Sequence, residues 1–422
     1  MATSSENFVF PLKCAVKNNA WGRLGASSEV AKLRQGSDPD FKYDEETPYA
    51  ELWMGTHPNG PSVISNSQVE PSALKDWIKK NPESLGEKVL LKFGDDLPFL
   101  FKVLSVNKGL SIQAHPNKSH AEKLHASQPD KYADPNHKPE MAIALTEFEG
   151  LCGFRPIAEI ASYIEGIPEL RAVVGEGPSA ALLNNNGVDG TTPALLAAQK
   201  ACFKGLMTCE VETVEKNLVK LVQRIQAMDP ESTEFHKHNG ELLLRLNTQY
   251  PGDVGCFVIY FLNRTVLQPG QAIFLEANLP HAYLDGNCIE CMACSDNVVR
   301  CGLTPKFKDV PTLCEMLNYN GKPSADNLFP SVQDSSDPYV TVYNPPVPDF
   351  AVCKIEVPES VSEYTISPKD SASIVLVIEG EAQSDVGPFQ RGSTIFISAH
   401  KSVTIKKKKG ASLLMFRAYC EL

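Results

Sequence analysis

Polar and apolar positions alternate in an unusual way in "LPFLFKVLSVNKGLSIQAHP", residues 97–116. Two apolar runs flank Asn107-Lys108-Gly109, which predicts a β-hairpin turning at that tripeptide. On the second run a period of two puts Ser111, Gln113 and His115 on one face and Leu110, Ile112 and Ala114 on the other. A polar face aimed inward and backed by an apolar outer face singles this strand out. The remainder of the first 150 or so residues alternates short apolar runs with Gly/Pro/Asn turns, a pattern of strands.

From about Phe154 the period changes. In "VETVEKNLVKLVQRIQAMDP" Val214, Leu218, Leu221, Val222, Ile225 and Met228 fall on one helical stripe, and Asp229-Pro230 ends it. "PIAEIASYIEG", "PALLAAQKACFKGLM" and "GELLLRLN" are also read as helices. The strand signal resumes with "GCFVIYFLNRTVLQPGQAIFLEANLPHAYL".

A weak repeat then appears. "PGQAIFLEANLPH" (269–281) and "RGSTIFISAHKSV" (391–403) share a Gly, an Ile-Phe pair and an Ala in the same rhythm. Aligned on the glycine, His281 falls opposite Val403, and His400 lies off that register as a surface residue. Two related β-barrels, one with polar ligands and one without, explain the repeat. The expected fold is mainly β with an α-helical insertion. A catalytic barrel takes residues 1–153 and 256–335, helices take 154–255, and a second jelly-roll without metal ligands takes 336–422.

Composition narrows the function. The 422 residues are 42% hydrophobic and 22% charged, as in a globular protein of more than one domain. The N-terminus shows no signal-peptide pattern and no apolar run of spanning length occurs, so a cytoplasmic protein is expected. The twelve cysteines are scattered among apolar neighbours, which suits a reducing compartment. A net charge of −11 argues against nucleic-acid or membrane partners but admits a small anionic substrate. Lys406–Lys409 are read as a solvated strand end.

Four segments compete to supply a metal site: Gln113/His115, the stretch "DPNHKPEM" with His137, Lys138 and Glu140, His281, and the series Cys288, Cys291, Cys294, Cys301. The cysteine series begins like an iron–sulfur spacing, but its fourth member is too distant and no second knuckle exists, so these are small hydrophobes. A strand pair at i and i+2 with a later histidine and a carboxylate is the arrangement of a cupin barrel. The Gly109 segment resembles the first cupin motif with glutamine in place of its first histidine, and the segment from Gly270 to His281 resembles the second. His120 and His125 are read as exposed helix residues, His236 and His238 as members of a polar stretch, and His57 as undecided.

"YADPNHKPEMAIAL" (132–145), "HAYLDGNCIECMACSDNVVRCGLTPK" (281–306), "NNAWG", "ELWMGTHP" and "GLSIQAHPNK" resemble the signatures of the type I phosphomannose isomerases along nearly the whole chain. One departure is Cys301, where that family usually has alanine. The resemblance implies one zinc ion per chain on Gln113, His115, Glu140 and His281. Three neutral ligands and one carboxylate would leave the site formally +1, which suits a Lewis acid better than a cysteine-rich site would. It also implies an aldose–ketose isomerase that interconverts mannose 6-phosphate and fructose 6-phosphate through a cis-enediolate, feeding GDP-mannose or glycolysis.

The implied catalytic residues are Arg300, with Lys138, His137 and Glu290 as candidates for proton transfer. Lys102, Ser111, Lys306 and Tyr283 are implied substrate contacts, and the chain is expected to act as a monomer. The alternatives are a cupin oxygenase using iron, which would not need the lysine and arginine complement, and a non-catalytic bicupin binding or storage protein, which would not need four ligands plus five polar pocket residues in one barrel.

Overall fold

The computed structural model describes residues 8–185, 192–408 and 410–422. Two jelly-rolls pack side by side, with a layer of helices against one of them. In the first, a sheet runs in the order Leu328–Phe329, Ala272–Leu275, Glu140–Ala144, His281–Ala293, Phe99–Val106, Glu51–Met54, Ala15–Lys17. Facing it are Leu262–Leu267, Phe148–Phe154, Ile112–Ala114 and Val299–Gly302. The long strand His281–Ala293 belongs to both layers: its first part pairs with Phe148–Phe154 and its second with Phe99–Val106.

The crossing is made at Gly286. Its φ is +108°, and a Cβ there would collide with the carbonyl oxygen of Glu147. The ladder to Phe148–Phe154 also shifts register beside this point.

The expected hairpin at Asn107-Lys108-Gly109 is not formed. Phe99–Val106 and Ile112–Ala114 both pair with His281–Ala293, but with different parts of it and in different layers. Pairing with this central strand outweighs the local turn signal. The apolar face of the second run is explained by what covers it. Ile112 and Ala114 join one continuous core with Ile160, Leu206, Leu218, Leu243 and Phe257 of the helical region.

The helices between Phe154 and Pro251 are Ile157–Gly166, Pro168–Val174, Glu176–Asn185, Pro193–Met207, Val211–Gln226, Thr233–Lys237 and Gly240–Gln249. In Val211–Gln226 the buried stripe is Val214, Leu218, Leu221, Val222 and Ile225, at the spacing the sequence predicts. "GCFVIYF" is not strand. Gly255–Val258 is a short helix, the strand starts only at Leu262, and Phe257, Tyr260 and Phe261 are fully buried. A continuous apolar run reports burial but not period.

The second jelly-roll has a sheet containing Val340–Tyr343, Ala351–Val357, Leu413–Tyr419, Ser373–Glu379 and Thr394–Ile397. Its facing sheet is Glu363–Ile366, Val403–Lys407, Glu381–Ser384 and Gly387–Gln390. Val9–Lys13 also lies in this jelly-roll, paired with Thr394–Ile397, although the sequence reading put residues 1–153 in the first barrel. Phe10 stacks there on Phe396 and meets Trp77 edge-on, so aromatic packing between the barrels fixes the strand. The basic run is not wholly solvated: Lys407 is buried and donates to the carbonyls of Val357, Pro358 and Ala411. Lys409 lies outside the described residues.

Candidate metal centre

Three chain segments meet inside the first barrel. Gln113 sits across from His281 on one side and from Arg300 on the other. His115 follows two residues on, and its carbonyl accepts the N–H of Asn278, which comes just before His281. Glu140 opens its own strand, opposite Leu275 and Met292. The pairing of four strands thus brings together residues far apart in the chain.

His115, Glu140 and His281 are almost fully buried, and one donor atom from each lies within 4.8 Å of the others. Glu140 Oε2 is 3.2 Å from His281 Nε2 and 3.5 Å from His115 Nε2. These same three atoms are buried without a hydrogen-bond partner. The other ring nitrogens are committed: His115 Nδ1 to the Asn297 carbonyl at 2.7 Å and His281 Nδ1 to the Leu279 carbonyl at 2.9 Å. A carbonyl only accepts, so each Nδ1 carries the proton and each Nε2 presents a lone pair inward. Such an arrangement fixes the tautomer of a metal-binding histidine. Unpartnered buried donors converging on one point are costly for a protein alone, and they fit a tetrahedral zinc.

Electrostatics agree with that fit. Burial pushes His115 down to about 4, so its ring is neutral at neutral pH. Burial resists a charge on Glu140, yet its surroundings hold the carboxyl well below the usual range, and with the two imidazoles presenting lone pairs the cation favouring that charge is Lys138. The Lys138 Nζ is 3.5 Å from Glu140 Oε1. A second network adjoins the group. Lys102 Nζ lies 3.0 Å from Glu290 and 3.5 Å from Glu51, and above the Trp53 ring. Burial opposes the Lys102 ammonium, but Glu290, Glu51 and Glu140 together keep it protonated. Burial, with Glu140 and Glu51 adding to it, raises the Glu290 carboxyl against the pull of Lys102.

The remaining predicted residues divide. Tyr283 Oη is buried without a hydrogen-bond partner, and burial, then Glu290 and Glu140, raises its phenol well above the ordinary value. Arg300 is half-buried, carries no ion pair among the described residues, and burial lowers its pKa. Ser111 is half-buried and Lys306 is exposed. His137 is not brought to the group. Its Nε2 is 3.0 Å from Asp349 Oδ1, a buried carboxylate of the second jelly-roll.

Sequence reasoning missed Glu51, Asn297 and Asp349. Asn297 is fully buried and binds the Asp134 and Asn136 carbonyls through Nδ2 while its own carbonyl takes His115. The only signals were the position of Asn297 within the second signature and of Glu51 two residues before Trp53.

The cysteine series dissolves, as expected of small hydrophobes. Cys288 packs inside the first barrel, Cys291 between the two jelly-rolls, and Cys301 against the helices. All twelve cysteines are free. Among the other histidines, His120 and His125 sit on the helix Lys118–Ser127 and are half-buried, His236 is exposed, and His400 is exposed. His57 is buried under Trp53 and pairs with Asp296 at 3.3 Å. His238 is buried, contrary to the polar-stretch reading, because Nδ1 meets the Glu234 carbonyl and Nε2 meets Arg224. No helix among the described residues is long and apolar enough to cross a membrane.

Comparison with known proteins gives a consistent result. Residues 9–157 match the family model of the phosphomannose isomerase type I catalytic domain. Residues 183–262 match that of its helical insertion domain and 341–386 that of its C-terminal part. The mannose-6-phosphate isomerase of Bos taurus is 53% identical over 421 residues, covering 98% of this chain and 99% of its own. A mutant phosphomannose isomerase from Salmonella typhimurium superposes with a TM-score of 0.83 at 31% identity, covering 98% of this chain and all of that one. A mannose 6-phosphate isomerase bound with zinc and yttrium superposes with a TM-score of 0.80, at 31% identity and the same coverage. With the fold, the buried donor group and full-length similarity in agreement, the chain belongs to the type I phosphomannose isomerase family.

Proposed function

We propose that this protein is a zinc-dependent aldose–ketose isomerase that interconverts mannose 6-phosphate and fructose 6-phosphate. The observation that carries the reading is the trio of unpartnered buried donors on His115, Glu140 and His281, set beside charged groups that a structural zinc site would not need. His115, Glu140 and His281, with the Gln113 amide oxygen as fourth ligand, would hold a zinc ion, which would supply Lewis acidity for negative charge on the sugar oxygens.

The chain's own residues do the rest. Glu290, buried beside the metal-site group with its carboxyl raised above the ordinary value by burial, is suited to carry a proton on a carboxylate oxygen between C2 and C1. Lys102, held charged by Glu290 and Glu51, keeps that carboxyl in place. Arg300, with no acid of its own among the described residues, offers a planar fork of donors to an enediolate. Lys138 stands at the rim beside Glu140 as a second cation, and Ser111, Tyr283 and Lys306 line the approach for the sugar phosphate. His137 serves elsewhere, because Asp349 occupies its ring. The twelve free cysteines support a cytoplasmic location.

The test is to chelate the protein, add zinc back, and follow the conversion of mannose 6-phosphate. Activity should vanish and return. Activity indifferent to metal removal would overturn the assignment. In deuterated water, Glu290→Gln should keep its zinc and lose exchange of the C2 proton; retained exchange would move the proton-transfer role to Lys138.

A further inference from the structure

The last turn of the helical region does more than return the chain to the barrel. The Asp253 carboxylate accepts three backbone N–H groups: Gly255 and Leu303 at Oδ1, both at 2.7 Å, and Thr304 at Oδ2, at 3.1 Å. Two of those donors lie in the loop between Arg300 and Lys306. Leu303 is buried there with φ +53°, a left-handed backbone that a leucine adopts only under constraint.

The two backbones also touch. A Cβ on Gly302 would stand 2.7 Å from Gly255 Cα, and one on Gly255 would stand 2.6 Å from the Leu303 nitrogen. Thr304 passes the constraint on, since its Oγ1 accepts the Lys306 N–H at 3.1 Å.

The same segment grips the opposite wall of the site. Tyr250 Oη donates to the Gly109 carbonyl at 2.6 Å, and Gln249 Oε1 accepts the Gly109 N–H at 3.0 Å. Gly109 leads directly into Ser111, Gln113 and His115. Residues 249–255 therefore hold both chain segments that face each other across the Gln113–Arg300 pairing.

We propose that Asp253 is a positioning residue for the isomerase reaction, setting Lys306 and Arg300 for the substrate through the N–H groups of Leu303 and Thr304. The helical insertion is then part of the frame of the active site and not merely a brace behind it. This inference rests on the proposed function, since it takes Lys306 and Arg300 to meet the sugar phosphate. A carboxylate suits the task because it takes three donors at once; an asparagine keeps one acceptor oxygen and turns an N–H toward another N–H.

The test compares zinc-loaded wild type with Asp253→Ala, Asp253→Asn and Thr304→Ala. Asp253→Ala should keep its zinc and raise KM for mannose 6-phosphate about tenfold or more, with a smaller fall in kcat. Asp253→Asn should show a partial effect. Thr304→Ala, which leaves the carboxylate's own bonds intact, should raise KM about threefold with kcat unchanged. A role in stability alone predicts a lower melting temperature with wild-type KM and kcat per zinc-loaded molecule, and that result would overturn the proposal. Should Asp253→Ala fail to fold, wild-type KM in both remaining variants overturns it equally. A wild-type protein without isomerase activity would instead sink the functional reading on which the inference stands.

Discussion

The two jelly-rolls share a frame and differ in what they enclose. In the first, Ala272–Leu275 pairs with Glu140–Ala144; in the second, Thr394–Ile397 pairs with Ser373–Glu379. Gly270 and Gly392 begin these turns with φ of +84° and +83°. Further along, Asn278 and His400 both take left-handed backbone, at +65° and +62°. Three residues later His281 and Val403 each open a strand. His400, set aside in the sequence as a surface residue, thus holds the place of Asn278 in the same turn.

The pairing registers carry the comparison into the interiors. Glu140 lies opposite Leu275, as Ser373 lies opposite Ile397. Gln113 lies opposite His281, as Ile366 lies opposite Val403. Glu290 lies opposite Lys102, as Arg417 lies opposite Cys353. Glu51, which closes the Lys102 network, corresponds to Val340. Gln113, Glu140 and His281 thus correspond to Ile366, Ser373 and Val403, and the carboxylate of Glu290 to a buried guanidinium bound to Ser373 Oγ and the Ser367 carbonyl. A cation at that point would meet the charge of the buried Arg417, which adds to the absence of the ligand types found in the first barrel. Between these barrels the strand pairing is common, and the chemistry resides in a few inward positions.

The comparison can be broken most directly at His281. His281→Val gives the first barrel the residue of the second, and zinc content and activity should both collapse. Loss of a Lewis acid worth several kcal/mol implies a fall on the order of 10³-fold in kcat. Metal analysis with a coupled assay checks it; a variant that keeps its zinc would show that the register argument misplaces the site.

A smaller effect separates the frames. Gly270→Ala should cost about 1 kcal/mol in denaturant unfolding, because a new Cβ there meets nothing closer than the Lys354 amine at 3.5 Å. At Gly392 the same φ is joined by a collision with the Leu33 carbonyl, so Gly392→Ala should cost about 3 kcal/mol. Equal costs would mean the two turns are held by φ alone. Least of all, His400→Asn should stabilise the protein by about 0.5 kcal/mol, since asparagine tolerates left-handed backbone better than histidine. A lower melting temperature would show that the His400 side chain contributes to the turn.

Much of this was legible in the sequence. The Gly-Ile-Phe repeat announced two barrels, and the helical stripe of Val211–Gln226 appears at the predicted positions. Gln113, His115, Glu140 and His281 were singled out, and the structure brings the last three within reach of one ion. The misses share a cause. The hairpin at Asn107, the strand reading of "GCFVIYF" and the placing of Val9–Lys13 were all judged from neighbours in the chain, whereas partners distant in sequence decided them. His137 was a candidate for proton transfer by family resemblance, and the structure sets its ring against Asp349 of the second jelly-roll.

What the sequence by itself determined is the inventory: residue types able to hold a metal, the two strand-rich regions and the helices between them. These follow from side-chain chemistry and local periodicity, which a linear chain displays. What only the tertiary structure decided is which groups share an interior. His281 and Glu290 are an odd number of residues apart, so a regular strand would put them on opposite faces. Both border the interior of the first barrel because the strand switches layers at Gly286, where φ is positive and no side chain fits. Long-range pairing sets that switch, and no local pattern encodes it.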